Sequence, residues 1–219
     1  MVDCIVKEIE LRKNYLSPTE LKTIYFGGGT PSILDFDELT KILTTIKRNF
    51  TVVEDVEITL EVNPDDISKE ILQGYKSLGI NRLSIGIQSF DDRQLVYLNR
   101  AHTAAHAIQS VKDAKAEGFS NISIDLIYGI PSPNHSIWES DLATAISLDV
   151  QHISSYCLTI EPKTVFGHRL AKKEIAAENE EYNADQFEML INKLEGINFE
   201  QYEVSNFSKP GFISQHNSN

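Results

Sequence analysis

Hydrophobic positions along this chain keep two alternating rhythms. From Val2 to Tyr15 the apolar residues Val2, Ile5, Val6 and Ile9 recur at helical spacing, with Leu16 beyond and Ser17-Pro18 as the stop. Ile24-Tyr25-Phe26 then reads as a short buried strand that runs into Gly27-Gly28-Gly29-Thr30-Pro31. Asp35–Arg48 carries Leu39, Ile42, Leu43 and Ile46 on one helical stripe, and Val56–Val62 is a strand closed by Asn63-Pro64. Ser68 caps a helix to Leu78, ended by Gly79. Arg82–Gln88 is a strand, Asp91–Leu98 a short helix, and Thr103 opens a helix to Glu117 that Gly118 stops. Asn121–Tyr128 is a strand ended by Gly129-Ile130-Pro131, Ser136–Leu148 a helix and His152–Leu158 a strand. Glu161 to Ala177 shows no clear period and is predicted as loop. Glu180–Leu194 is helical, and Phe199–Val204 is the last strand.

Repeated βα alternation predicts parallel strands joined by right-handed helical crossovers, in either an open doubly wound sheet or a barrel. Strand parity favours the barrel. Ile58, Leu60 and Val62 share one face of their strand, and Glu57, Thr59 and Glu61 the other. Leu83, Ile85 and Ile87 oppose Arg82, Ser84, Gly86 and Gln88; Ile122, Ile124 and Leu126 oppose Ser123, Asp125 and Ile127. A sheet covered by helices on both sides would be apolar on both faces. One apolar and one polar, small face fits helices on the outside only. The expected fold class is therefore α/β, a barrel-like (β/α) sheet with parallel strands and a polar lumen. Gly27–Thr30, Glu61, Gln88, Asp125 and Tyr128 fall toward the C-terminal strand ends, where parallel barrels build their sites. Glu61 and Asp125 stand out, because a carboxylate in an apolar strand needs a compensating partner. The three glycines permit two readings: a backbone cradle for a carboxylate or phosphate, or a tight strand-to-helix turn.

Charge narrows the partners. Twenty Lys and Arg against 32 Asp and Glu give a net charge of −12, which speaks against nucleic acid and anionic membranes. No apolar run is long enough to span a bilayer. The two cysteines, Cys4 and Cys157, form no pair motif and suggest a reducing, cytoplasmic setting. His102 and His106 are the only histidines at i, i+4 spacing, and they flank a helix start, so no metal site is assigned. The 219 residues suit one barrel-type domain, 1–219. The chain opens on a helix with no strand before it and stops shortly after a strand. That predicts a fragment truncated at both ends, with the first barrel strand missing.

Five motifs in order carry a resemblance: Tyr25-Phe26-Gly27-Gly28-Gly29-Thr30-Pro31, Glu61-Val62-Asn63-Pro64, Ile85-Gly86-Ile87-Gln88-Ser89-Phe90, Leu98-Asn99-Arg100-Ala101-His102, and Ile124-Asp125-Leu126-Ile127-Tyr128-Gly129-Ile130-Pro131. Together they resemble the radical S-adenosylmethionine (SAM) family of oxygen-independent coproporphyrinogen III oxidases and their haem-chaperone relatives, from Thr23 to Asn217. The resemblance implies a partial open (β/α) barrel with parallel strands, of radical SAM type, which agrees with the parity argument. It implies SAM contacts at Gly28, Gly29 and Thr30 for the methionine end, and at Glu61 for the amino group or ribose. Gln88, Arg100 and Asp125 match positions that contact a second SAM in the oxidase branch; Arg100 otherwise reads as a surface or salt-bridge arginine. Ser89 stands where the oxidases tend to have Asp. Tyr202-Glu203-Val204-Ser205-Asn206-Phe207, Lys209-Pro210-Gly211 and His216-Asn217 resemble the chaperone branch.

The family holds a [4Fe–4S] cluster through three closely spaced cysteines, which this chain lacks, so the cluster ligands are expected in the intact protein, beside the missing strand. The oxidase branch uses the adenosyl radical on the propionates of coproporphyrinogen III; the chaperone branch binds haem and passes it to acceptor proteins. The expected function is a haem chaperone, with the oxidase as the alternative, and this chain alone is expected to be inactive in radical chemistry. A non-redox βα-barrel binding protein, lyase or isomerase is the further alternative. A homodimer through an exposed sheet edge completes the partner expectations.

Overall fold

The computed structural model describes residues 1–15, 20–177 and 179–218. Its elements are α1 (Val2–Arg12), β1 (Leu21–Phe26), α2 (Phe36–Asn49), β2 (Val52–Val62), α3 (Lys69–Ser77), β3 (Arg82–Gln88), α4 (Asp92–Tyr97), α5 (Ala104–Ala116), β4 (Ile122–Tyr128), α6 (Ser136–Ser147), β5 (His152–Cys157), α7 (Val165–Ala171), α8 (Glu180–Glu195), β6 (Glu200–Glu203) and β7 (Asn206–Ser208). The strands form one sheet in the order β1-β2-β3-β4-β5-β7-β6.

Local chemistry sets the helix ends. α2 begins in a capping box: Asp35 Oδ1 accepts the Glu38 N–H at 2.8 Å, and Glu38 Oε2 accepts the Asp35 N–H at 3.2 Å. Asp37 and Glu38 in its first turn and Lys47 and Arg48 in its last complement the helix dipole. Ser68 Oγ accepts the Ile71 N–H ahead of α3, and Thr103 Oγ1 the His106 N–H ahead of α5. The first helix closes earlier than its apolar spacing predicts, at Arg12. Ser17-Pro18, its expected stop, lies outside the described residues.

Two expectations are corrected. The stretch from Glu161 to Ala177 contains a helix, α7, capped by Thr164 Oγ1 on the Gly167 N–H at 3.1 Å. Gly167 sits so close to the chain that enters the helix that a Cβ would lie 2.2 Å from the Glu161 carbonyl oxygen. The C-terminal strand is also shorter than predicted and is followed by β7, which pairs antiparallel with both β5 and β6. β1/β2, β2/β3 and β4/β5 are parallel, as the crossovers require.

The chain divides into two compact units: Met1–Ile85 with Ser110–Ile122 and Ser214–Asn219, and Gly86–Gln109 with Ser123–Ile213. In the first, Ile58, Leu60, Val62, Leu83 and Ile85 are buried, as strand parity predicts. The opposite face is buried as well over Glu57, Thr59, Arg82 and Ser84, and becomes half-buried at Glu61. In the second, Ile124, Leu126 and Ile153 are buried, while Gln88 and Asp125 are half-buried. Polar side chains thus gain exposure toward the C-terminal strand ends.

Candidate functional site

β1 and β2 run parallel with Phe26 opposite Leu60, a register that carries Glu61 alongside Gly27. There the Tyr25 hydroxyl donates to Glu61 Oε1 at 2.8 Å, and the Gly28 N–H donates to Glu61 Oε2 at 3.2 Å. Both carboxylate oxygens are therefore oriented by the chain itself. Gly27 is required by space: a Cβ there would fall 2.4 Å from a Tyr25 ring carbon and 2.8 Å from Glu61 Oε1. Gly28 and Gly29 are required by conformation, with φ of 76° and 81°, and both are exposed with nothing near the place a Cβ would occupy. The loop rims a cavity of about 460 Å3 whose other walls include Ile5, Ile9, Phe26, Ile42 and Ile46.

The last described residues fold back onto this unit. His216 stacks on the Tyr25 ring at 4.4 Å between centroids, and the N–H groups of Gln215 and His216 both point to the Glu57 carboxylate at 3.4 Å. These contacts satisfy a buried Glu57. The Tyr25–Glu61 bond, the Glu57 contacts and the His216 stack are features of this site that no motif singled out. Glu57 shares the parity of Glu61, which was the available signal.

Gln88, Arg100 and Asp125 belong to the second unit. Gln88 ends β3 in the left-handed region, with φ 71°. Arg100 is half-buried, and its Nη2 donates to the Gly86 carbonyl at 3.1 Å, so it is tied to the strand rather than displayed on the surface. His102 Nε2 lies 3.0 Å from the Ile87 carbonyl, which can only accept, so that nitrogen carries the hydrogen. Asp125 lies opposite Ser154 in the β4/β5 register. His102 is buried and precedes α5, which begins at Ala104, whereas His106 is half-buried within that helix, so the i, i+4 spacing does not place them on one helix face. Among the described residues no three His, Cys, Asp or Glu are grouped to hold a metal ion.

An oriented carboxylate beside exposed, conformationally special backbone suits a zwitterionic amino-acid head. Glu61 can receive an ammonium, while Gly29 and Thr30 adjoin it along the loop. Residues 5–145 match the radical SAM superfamily. The chain belongs to that superfamily. It is 41% identical over 199 residues to the heme chaperone HemW of Bacillus subtilis (strain 168), an alignment covering 90% of this chain and 52% of that protein. Identity to the heme chaperone HemW of Escherichia coli (strain K12) is 34% over 218 residues, covering 100% of this chain and 57% of that protein. The solved structure of coproporphyrinogen III oxidase (HemN) from Escherichia coli superposes with a TM-score of 0.82 at 24% identity, over 98% of this chain and 50% of that one. The fold is thus α/β of the radical SAM type. The chain spans about half the length of the curated relatives it matches.

Membership of the radical SAM superfamily implies SAM and a [4Fe–4S] cluster. The residues near Gly28 fit the amino-acid end of SAM. The cysteines do not fit the cluster: Cys4 is exposed on α1, Cys157 is half-buried at the end of β5, and two thiols cannot supply three ligands. No helix among the described residues is long and apolar enough to cross a membrane.

Proposed function

We propose that this chain is the SAM-binding part of a haem chaperone, with Glu61 and the Gly28-Gly29-Thr30 loop holding the methionine end of SAM. The observation that carries the reading is the 41% identity with the Bacillus subtilis heme chaperone HemW along 90% of this chain. Ser89 in the place of the oxidase-branch Asp and the His216-Asn217 pair support the same branch. SAM supplies radical chemistry to this superfamily when a cluster is bound; these residues alone hold no cluster, and no radical step is assigned to them. What they do is bind and orient. Tyr25 and Gly28 fix the Glu61 carboxylate so that an ammonium meets charge without reorganisation. Gln88, Arg100 and Asp125 are assigned to SAM on their motif positions. Haem and haem-accepting proteins are the further partners of this reading, with a cytoplasmic setting and a homodimer through the β1 edge.

Titration of the chain with hemin, followed by its Soret absorbance, tests the branch. One haem per chain is the expected result. Binding of coproporphyrinogen III with no uptake of hemin would overturn the chaperone reading and favour the oxidase.

A further inference from the structure

Where β3 ends, the Ser89 N–H donates back to the Ile87 carbonyl at 3.0 Å across Gln88, whose φ is 71°. This is a γ-turn centred on a non-glycine residue in the left-handed region, a conformation that persists only where its surroundings over-determine it. Side chains hold it from both flanks. Upstream, Arg100 Nη2 binds the Gly86 carbonyl and His102 Nε2 the Ile87 carbonyl. Downstream, Asp141 reaches in from α6. Its Oδ1 accepts the Phe90 N–H at 2.9 Å, and its Oδ2 accepts the Ser89 hydroxyl at 2.7 Å. Ser89 Oγ in turn accepts the Asp91 N–H at 3.0 Å. The single Ser89 hydroxyl hydrogen has a second acceptor in reach, Gln94 Oε1 at 3.0 Å, but the nearer, charged oxygen takes it. Ser89, Gln94 and Asp141 are all buried. The half-buried Gln88 side chain is no part of this frame: its amide has no hydrogen-bond partner among the described residues.

We propose that Asp141 is a positioning residue, clamping Ser89 and Phe90 so that the strained turn presents the Gln88 amide to bound SAM. The inference rests on the assignment of Gln88 to SAM. Asp91, itself paired with Arg93, is the charged neighbour of the clamp, at the start of α4. A purely structural Asp141 would support α6 and stability alone, and the two roles separate experimentally.

Calorimetric titration of SAM into the chain and its variants is the test. Asp141→Ala is expected to weaken SAM about tenfold, as is Gln88→Ala, and the double variant to lose no more than either single one. Asp141→Asn stays within about threefold of wild type. Its Oδ1 still accepts the Phe90 N–H, and its Nδ2 donates to Ser89 Oγ, whose hydrogen turns to Gln94 Oε1. Leu142→Ala, in the neighbouring fully buried position on α6, loses stability but keeps the affinity. Additive losses in the double variant, or equal losses in Leu142→Ala and Asp141→Ala, would overturn the proposal. If the wild-type chain takes up no SAM, the SAM reading itself fails, and amide hydrogen exchange at Ser89 and Phe90 decides on the clamp. Faster exchange in Asp141→Ala than in Leu142→Ala, restored in Asp141→Asn, supports it; equal exchange in all three refutes it.

Discussion

Asp141 makes the stability of this protein depend on pH in an uncommon direction. Burial pushes its carboxyl up from 3.8 to about 6, against the hydrogen bonds from Ser89 and Phe90 that favour the ion, and the Asp91 carboxylate adds to the rise. The folded chain therefore holds this proton more tightly than the unfolded chain. The stabilisation is fully present below pH 3.8 and is lost as pH rises through about 6. From those two values it is near zero at pH 7.5, about 1 kcal/mol at pH 5.0, and about 3 kcal/mol at its low-pH limit. Asp141→Asn removes this proton. Urea denaturation of both proteins at pH 7.5 and 5.0 should show the difference, wild type minus variant, moving by about 1 kcal/mol in favour of wild type at the lower pH. Asp3, Glu70 and Asp91 are shifted down by their partners and act in the opposite direction, but both proteins carry them and they cancel in the difference. A difference that is the same at both pH values would refute the argument, because Asp141 would then titrate alike in the folded and unfolded chains.

Two further predictions concern the glycine loop and the cysteines. Gly27→Ala forces the Tyr25 ring and the Glu61 carboxylate apart; it should cost about 1–3 kcal/mol by urea denaturation and lower SAM affinity in the same titrations. Anaerobic reconstitution with iron and sulfide should give no stoichiometric cubane signal by electron paramagnetic resonance, since Cys4 and Cys157 cannot form a ligand set.

Much of the fold was legible because each strand carries its own parity. Arg82–Gln88 alternates without a break and matches the structure at both ends, and Asp35 and Ser68 announce their helices through capping chemistry. β7 spans three residues, Asn206–Ser208, too few for any period to show. α7 lies in a stretch with no clear apolar period, and the missing side chain of Gly167 is what lets the helix sit against Glu161. The site was legible in its residue types more than in its bonds. Glu61 stands out as an acid in an apolar strand, but its compensation by Tyr25 and Gly28 depends on the β1/β2 register. The Gly28 N–H, expected to face the ligand, is held by Glu61 instead. Asp141 looks like any acid on an exposed helix face; its burial follows from the placement of Ser89 and Phe90 against α6, which no local pattern encodes.

The most direct test of the account is calorimetric titration of SAM into the wild-type chain and the Glu61→Ala variant. The cradle predicts one methionine-end site that wild type fills and the variant loses by about tenfold or more, while the variant's melting temperature stays close to wild type because Glu61 is only half-buried. Equal affinity in the two proteins would contradict it.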